Sequence, residues 1–189
     1  MLVVVGKLAG GGGKKETPTQ KVAFVSTTTG ESDAGQPDAT KVKAESGRIV
    51  TMLNDWYDRA FVDPKLYGDG SFKDVRAHFS SDAHAQFAKD LNSLTIGEAR
   101  EDVSRVSIDS STVDVTVFFQ NGKTPRFAVA AVTFAATATL KEKKALPLLI
   151  TQKATYHLIK RSNGDWIVSY YTVHEAQDSV RPSPSASAT

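Results

Sequence analysis

The apolar residues of this chain change their spacing near residue 100, and this change limits the folds that the chain can adopt. Before residue 97 they recur every three or four positions, which is typical of amphipathic helices. After residue 103 they alternate with polar residues, as in strands that bury one face. Helices followed by sequential strands predict the α+β class, with N-terminal helices packed on a curved antiparallel β-sheet meander that is cone-like.

The longest helical pattern covers about residues 40–61 and places one apolar stripe along a helix. Asp38 or Thr40 can cap its start, and Asp63 precedes Pro64, where a helix is expected to end because the residue before proline avoids the α region. Two shorter helical patterns follow and end near Gly97. The stripe consists of Val42, Ile49, Leu53, Trp56, Tyr57 and Ala60.

The second half predicts strands at residues 103–108, 112–120, 126–140, 148–160 and 166–173, with a turn at 109–111. Asn121 and Gly122 predict a tight hairpin, because both residue types tolerate positive φ. Asp114 shares a strand face with Thr116 and Phe118. Alternation favours the opposite face, which carries only apolar residues, as the inner one. The aromatic residues, Phe118 and Phe127 included, are expected mainly in the core.

Both ends of the chain are polar and low in complexity, which predicts segments that cannot form a core. We therefore divide the chain into a linker at residues 1–40, a domain at 41–175 and a disordered tail at 176–189. Residues 2–6 resemble the outer end of a membrane helix whose start is missing, and the alternative is a hydrophobic tail without a role. The apolar residues at 22–25 leave open a short edge strand.

Composition and spacing argue against several classes of function. The 23 basic and 21 acidic residues nearly balance, which disfavours an electrostatic grip on nucleic acid. The chain has no cysteine, which excludes disulfides, thiolate metal sites and thiol nucleophiles. His78 and His84 are six residues apart, which is not the spacing of two ligands on one helix face. We expect no metal, no cofactor and no catalytic residue.

The remaining candidates for chemistry are acidic, aromatic and imidazole side chains that an interior pocket would bring together. Such a site would need a carboxylate base that faces a hydrogen-bond donor in apolar surroundings. The pocket candidates on helices and strands are Asp55, Tyr57, His78, Asp114, Tyr156 and Tyr170.

Three segments resemble the nuclear transport factor 2-like superfamily, whose fold is a cystatin-like α+β cone. They are the long first helix around residues 53–57, the helical segment at 72–79, and the final turn at 163–165 followed by Trp166. The resemblance covers residues 41–175 and implies a cone that can serve either enzymes or binding modules. With its stalk and apolar N-terminus, the chain looks like extracytoplasmic domains of actinobacterial mammalian-cell-entry-associated or conjugation-machine proteins.

This resemblance implies a non-catalytic interaction or scaffold domain of a bacterial cell envelope. The domain would lie outside the cell membrane, anchored through a missing N-terminal segment, and would bind protein partners there. The alternative is a small-molecule binder, or a lyase or isomerase that uses the cone pocket; a third interpretation is a cytoplasmic accessory protein. Residues 128–138 make a flat surface of small side chains. We expect that surface either to form a homodimer, as in the superfamily, or to lie under the tail.

Overall fold

The computed structural model describes residues 20–142 and 147–179, and its largest element is one five-stranded sheet. The described helices are α1 (Ala39–Tyr57), α2 (Lys73–Arg76), α3 (His84–Lys89) and α4 (Leu91–Leu94), with a π-helical turn at Asp58–Val62 and 3-10 turns at Pro64–Leu66, Ser81–Ala83 and Gly97–Glu101. The strands are β1 (Val25–Ser32), β2 (Val103–Gln120), β3 (Thr124–Leu140), β4 (Leu148–Lys160) and β5 (Trp166–Ser179), in that spatial order. In the described ranges, no helix is long and apolar enough to cross a membrane.

Helix α1 forms where the apolar stripe predicts it. The Asp38 carboxylate accepts a hydrogen bond from the Thr40 amide at 2.8 Å, which confirms the predicted cap. The π-helical turn extends the helical segment to Val62, and Asp63 then takes an extended conformation before Pro64. All six residues of the predicted stripe are buried. The stripe packs α1 against the sheet and makes this helix the cover of the core.

Strands β2 to β5 are sequential and antiparallel, which confirms the predicted meander. Asn121 and Gly122 take φ values of 53° and 66° in the turn between β2 and β3, as the hairpin signal predicts. The predicted turn at 109–111 is wrong. Strand β2 continues through it with a bulge between Ile108 and Ser110, and Asp109 accepts a 2.8 Å hydrogen bond from Thr137 on β3. A bulge bends a strand without ending it, so the sheet curves there.

Strand β1 corrects the linker prediction for residues 20–40. It pairs with β2 in parallel, so the sheet is mixed and not wholly antiparallel. The amides of Val22 and Phe24 donate to Asp58 Oδ1 (2.7 Å) and Asn54 Oδ1 (3.0 Å) on the helical segment. Ordering this segment costs conformational entropy, and its polar composition offers little apolar surface to offset that cost. The two hydrogen bonds and the burial of the Val22 and Phe24 side chains provide the offset. The short edge strand that residues 22–25 left open is therefore closer to the structure than a linker, although β1 lies at Val25–Ser32.

The two faces of the sheet differ as alternation predicts. The inner face, under α1, carries the buried residues of β2, β3 and β4, including Val113, Val115 and Val117. Asp114 points to the outer face. The fold class is α+β, with helices on one side of a curved sheet, as predicted.

The predicted boundaries at the two ends have different outcomes. Strand β5 runs to Ser179, past the predicted start of the tail at residue 176, because it pairs with β4 along its whole length. The predicted membrane-helix remnant at residues 2–6 and the end of the tail at 180–189 lie outside the described residues.

Candidate functional site

The interior between α1 and the sheet holds a small buried polar cluster. The Tyr57 hydroxyl donates to Gln152 Oε1, and the Tyr57 and Tyr156 hydroxyl oxygens are 3.0 Å apart. Gln152 and Tyr156 share the inner face of β4, and the Gln152 amide donates to the Ser93 carbonyl at the end of α4. These buried polar groups therefore hydrogen-bond to one another and to the backbone.

Aromatic rings occupy the space around this cluster. The Trp56 ring centroid lies 4.6 Å from that of Tyr156 and 4.9 Å from that of Phe79. The Phe134 ring of β3 lies 5.2 Å from Tyr57. Rings at these distances are in contact, so side chains fill the interior around Tyr57 and Tyr156.

The chemistry of Tyr57 and Tyr156 follows from their burial. Burial raises the pKa of Tyr57, with a smaller opposing contribution from its hydrogen bond to Tyr156. Burial also raises the pKa of Tyr156. Both phenols are therefore neutral at physiological pH and can only donate or accept hydrogen bonds. In the described residues, their hydroxyl groups bond to each other and to an amide, with no carboxylate base beside them.

Asp55 and His78 lie together at the surface and not in the interior. Arg59 Nε is 2.9 Å from Asp55 Oδ2, and His78 Nε2 is 3.8 Å from the same oxygen. Arg59 also contacts Asp74 at 3.0 Å. Burial lowers the pKa of His78, although the Asp55 carboxylate opposes this change. Arg59 thus engages both Asp55 and Asp74, and the His78 imidazole lies 3.8 Å from Asp55 Oδ2.

Asp114 and Tyr170 lie on the outer face, away from the tyrosine cluster. Asp114 accepts a hydrogen bond from Thr27 of β1. The Tyr170 side chain is 52% exposed, and its ring centroid is 5.5 Å from that of His157. The six predicted pocket residues therefore occupy separate places. Only two pairs meet, Tyr57 with Tyr156 and Asp55 with His78.

Metal-binding residues are not clustered in the described ranges. No group of three or more His, Asp or Glu side chains there could hold a metal ion.

The outer face carries an exposed apolar surface that includes two phenylalanines expected in the core. Phe118 and Phe127 stack at 4.2 Å between centroids with an interplanar angle of 11°, and Ile159 continues the row on β4. Phe127 is 46% and Ile159 44% exposed, so the expectation that Phe127 belongs to the core is wrong. We call the surface formed by Phe118, Phe127, Ile159 and Tyr170 the outer patch.

The residues around the outer patch leave its centre uncharged. Phe118, Phe127 and Ile159 are paired across three strands, and the neighbouring row carries Val129 between Thr116 and His157. A cavity of about 580 Å³ adjoins the two phenylalanines. Charged side chains appear at its rim, where Glu31, Asp33 and Arg126 lie. A flat apolar centre with a charged rim is the usual anatomy of a protein interface.

The chain was compared with protein-family models, with curated proteins and with solved structures, and none of the three comparisons found a match.

Proposed function

We propose that this chain is a non-catalytic interaction domain that docks a protein through the outer patch. The observation that carries the proposal is the contrast between the two faces of the sheet. Rings fill the inner side around Tyr57 and Tyr156, while Phe127, Ile159 and Tyr170 remain exposed on the outer side. Contiguous exposed apolar surface on a soluble domain typically marks a site of interaction.

The partner that best fits the outer patch is a second copy of this chain. Two such faces can pack at the usual separation of about 10 Å between sheets, because Ala131 and Thr133 beside the patch are small. A two-fold axis would bring Phe127 and Ile159 of one copy against the same residues of the other. Fully burying an exposed side chain of this size contributes about 1.5–3 kcal/mol, and Phe127 and Ile159 are 46% and 44% exposed, so each contributes about half of that.

The cellular setting belongs to the same proposal and rests on sequence alone. The resemblance to the nuclear transport factor 2-like superfamily and the apolar residues 2–6 support a domain on the outer side of a bacterial cell membrane. The coding region upstream of residue 1 provides the test. An in-frame apolar run of about 20 residues supports the envelope assignment, and an upstream stop codon next to a ribosome-binding site contradicts it.

The alternative is a small-molecule binder, or a lyase or isomerase that uses the cone. In the described residues no carboxylate contacts the Tyr57 and Tyr156 hydroxyl groups, whereas the buried Tyr171 hydroxyl donates a 3.0 Å hydrogen bond to Asp90 Oδ2. Native mass spectrometry of the full chain at several concentrations distinguishes the two proposals. A dimer whose fraction grows with concentration, without added mass, supports the interaction domain. A monomer that retains a small molecule of defined mass supports the alternative.

A further inference from the structure

A second surface feature lies on the helix side of the sheet, apart from the outer patch. It is a cleft of about 560 Å³ between α1 and the turn that joins β4 to β5, with the end of α2 at one side. This volume is in the range of small-molecule sites, about 300–1,000 Å³. We call it the turn cleft. Its polar and aromatic lining comprises Arg48, His78, Arg161, Asn163, Asp165 and Trp166.

The acidic side chain nearest to Arg48 is already engaged by other groups. Glu45 Oε1 is 2.6 Å from Lys160 Nζ, and Glu45 Oε2 accepts a 3.0 Å hydrogen bond from Trp166 Nε1. Arg48 reaches the same carboxylate only at 3.7 Å, and its side chain is 63% exposed. The Arg48 guanidinium therefore keeps most of its donors available to a ligand.

Acidic side chains are also engaged beside His78, behind the lining of the turn cleft, and at the turn between β4 and β5. Arg59 Nε is 2.9 Å from Asp55 Oδ2, and His78 Nε2 is 3.8 Å from the same carboxylate oxygen. Asp165 accepts a 2.7 Å hydrogen bond from the Asn163 side-chain amide. The Arg161 guanidinium has no acceptor in the described part of the chain. The cleft thus has more hydrogen-bond donors than free acceptors, and two arginines against one carboxylate in its lining.

From this geometry we propose that the turn cleft binds the anionic group of a small molecule, a phosphate, sulfate or carboxylate, through Arg48 and Arg161. A guanidinium presents two parallel donors that match the oxygens of such groups. The Met52 and Ile167 side chains provide an apolar wall for the remainder of the ligand. This site is independent of the dimer proposed for the outer patch, which lies on the opposite face of the sheet.

His78 makes the proposed binding dependent on pH. Around its ring lie Asp55 and Arg59 from the first helical segment and Asp74 from α2, and the turn contributes Arg161 and Asp165 to the same cleft. Burial lowers the pKa of His78, so the free protein holds it neutral near pH 7. Protonation adds a positive charge beside the anion. Binding therefore strengthens as the pH falls from 7 to 5, and a bound anion raises the pKa of His78.

The test is an NMR titration of the full chain with sodium sulfate, against sodium chloride at equal ionic strength. Sulfate is chosen because it does not titrate between pH 5 and 8. We expect saturable shifts at the Asn163 side-chain amide, the Gly164 amide and the His78 ring. Arg161→Gln should weaken binding at least about tenfold, because it removes a guanidinium that presents two charged donors to the anion. Arg48→Gln provides a second, independent variant.

Arg105→Gln is the matched control, because it removes the same charge from an exposed position on β2. His78→Gln should retain sulfate binding but lose its dependence on pH. Chloride producing the same shifts, or Arg161→Gln binding as well as Arg105→Gln, would overturn the proposal. A vesicle arm separates the sources of the anion. The chain is sedimented with phosphatidylglycerol vesicles and, separately, with phosphatidylcholine vesicles. The assignment to a small molecule would be overturned if the chain bound only the phosphatidylglycerol vesicles, lost this binding in Arg161→Gln, and showed no sulfate-induced shifts.

Discussion

The hydroxyl group of Tyr57 is buried where a missing hydrogen bond cannot be replaced by water. Tyr57→Phe leaves the Gln152 carbonyl with only the longer 3.3 Å contact from Tyr156. We expect a loss of about 0.5–1.5 kcal/mol in the free energy of unfolding, the net contribution of one intramolecular hydrogen bond. Urea denaturation measures it. Tyr170→Phe is the control, since its side chain is 52% exposed, and an equal loss in both variants would contradict a structural role for the buried cluster.

His78 gives a pH dependence whose sign follows from its environment. Burial lowers the pKa of His78 in the folded state, so the unfolded chain takes up this proton first as the pH falls. Stability from this residue is complete above the unfolded pKa, about 6.5, and is lost as the pH falls toward the folded value. His78→Gln should flatten the decline in melting temperature between pH 7 and 5, and His174→Gln should not. An unchanged decline in His78→Gln would refute this cause.

Asp55 and Asp114 illustrate how far the sequence can identify a site. Alternation along β2 correctly favours an outward Asp114, because a strand reverses its side chains at every residue. The same rule cannot bring Tyr57 to Tyr156, 99 residues along the chain, since that contact depends on how α1 crosses the sheet. Asp55 and Tyr57 are two residues apart on α1, so they face different directions, and only one of them reaches the interior.

At the scale of elements, the attachment of the N-terminal segment to α1 is the least expected feature. Asp58→Ala removes the acceptor for the Val22 amide, while Asn54 still binds that of Phe24. We expect at least about tenfold faster hydrogen exchange at the Val22 amide, which corresponds to about 1.4 kcal/mol of local stability. Amide exchange followed by NMR measures it.

Asp55→Ala is the matched control for this prediction, because Asp55 lies one turn before Asp58 on the same helical segment and contacts Arg59 instead of the N-terminal segment. Unchanged exchange at Val22 in Asp58→Ala, or the same acceleration in Asp55→Ala, would show that β1 holds the segment by itself.

The elements that the sequence predicts well are those specified by short-range patterns. Helix α1, the Asn121–Gly122 hairpin and the bounds of β4 follow from periodicity, capping and turn chemistry. The pattern of residues 25–32 does not predict the full length of β1, because its eight residues are mostly polar and their support comes from β2. Residues 109–111 predict a turn where β2 has a bulge, because Asp109 and two serines are typical of both.

At the scale of the whole molecule, a packed interior lies on one side of the sheet and an exposed apolar face on the other. Tyr57, Tyr156 and the rings around them fill the inner side, and Phe127 and Ile159 present apolar surface on the other. The turn cleft, which Arg48 and Arg161 line, has more hydrogen-bond donors than free acceptors. These features favour a domain that works through its surface, with association and anion binding at different places.

The most direct measurement is sedimentation equilibrium of the full chain and of two variants over a wide concentration range. We predict a wild-type dimer and at least about a tenfold larger dissociation constant for the double variant Phe127→Ser, Ile159→Thr, because this variant loses more than about 1.4 kcal/mol of apolar burial. Leu149→Thr, on the same face of β4 and 38% exposed, should dissociate like the wild type. A wild-type chain that stays monomeric at the highest concentration, or a double variant that dimerises equally well, would contradict the central claim.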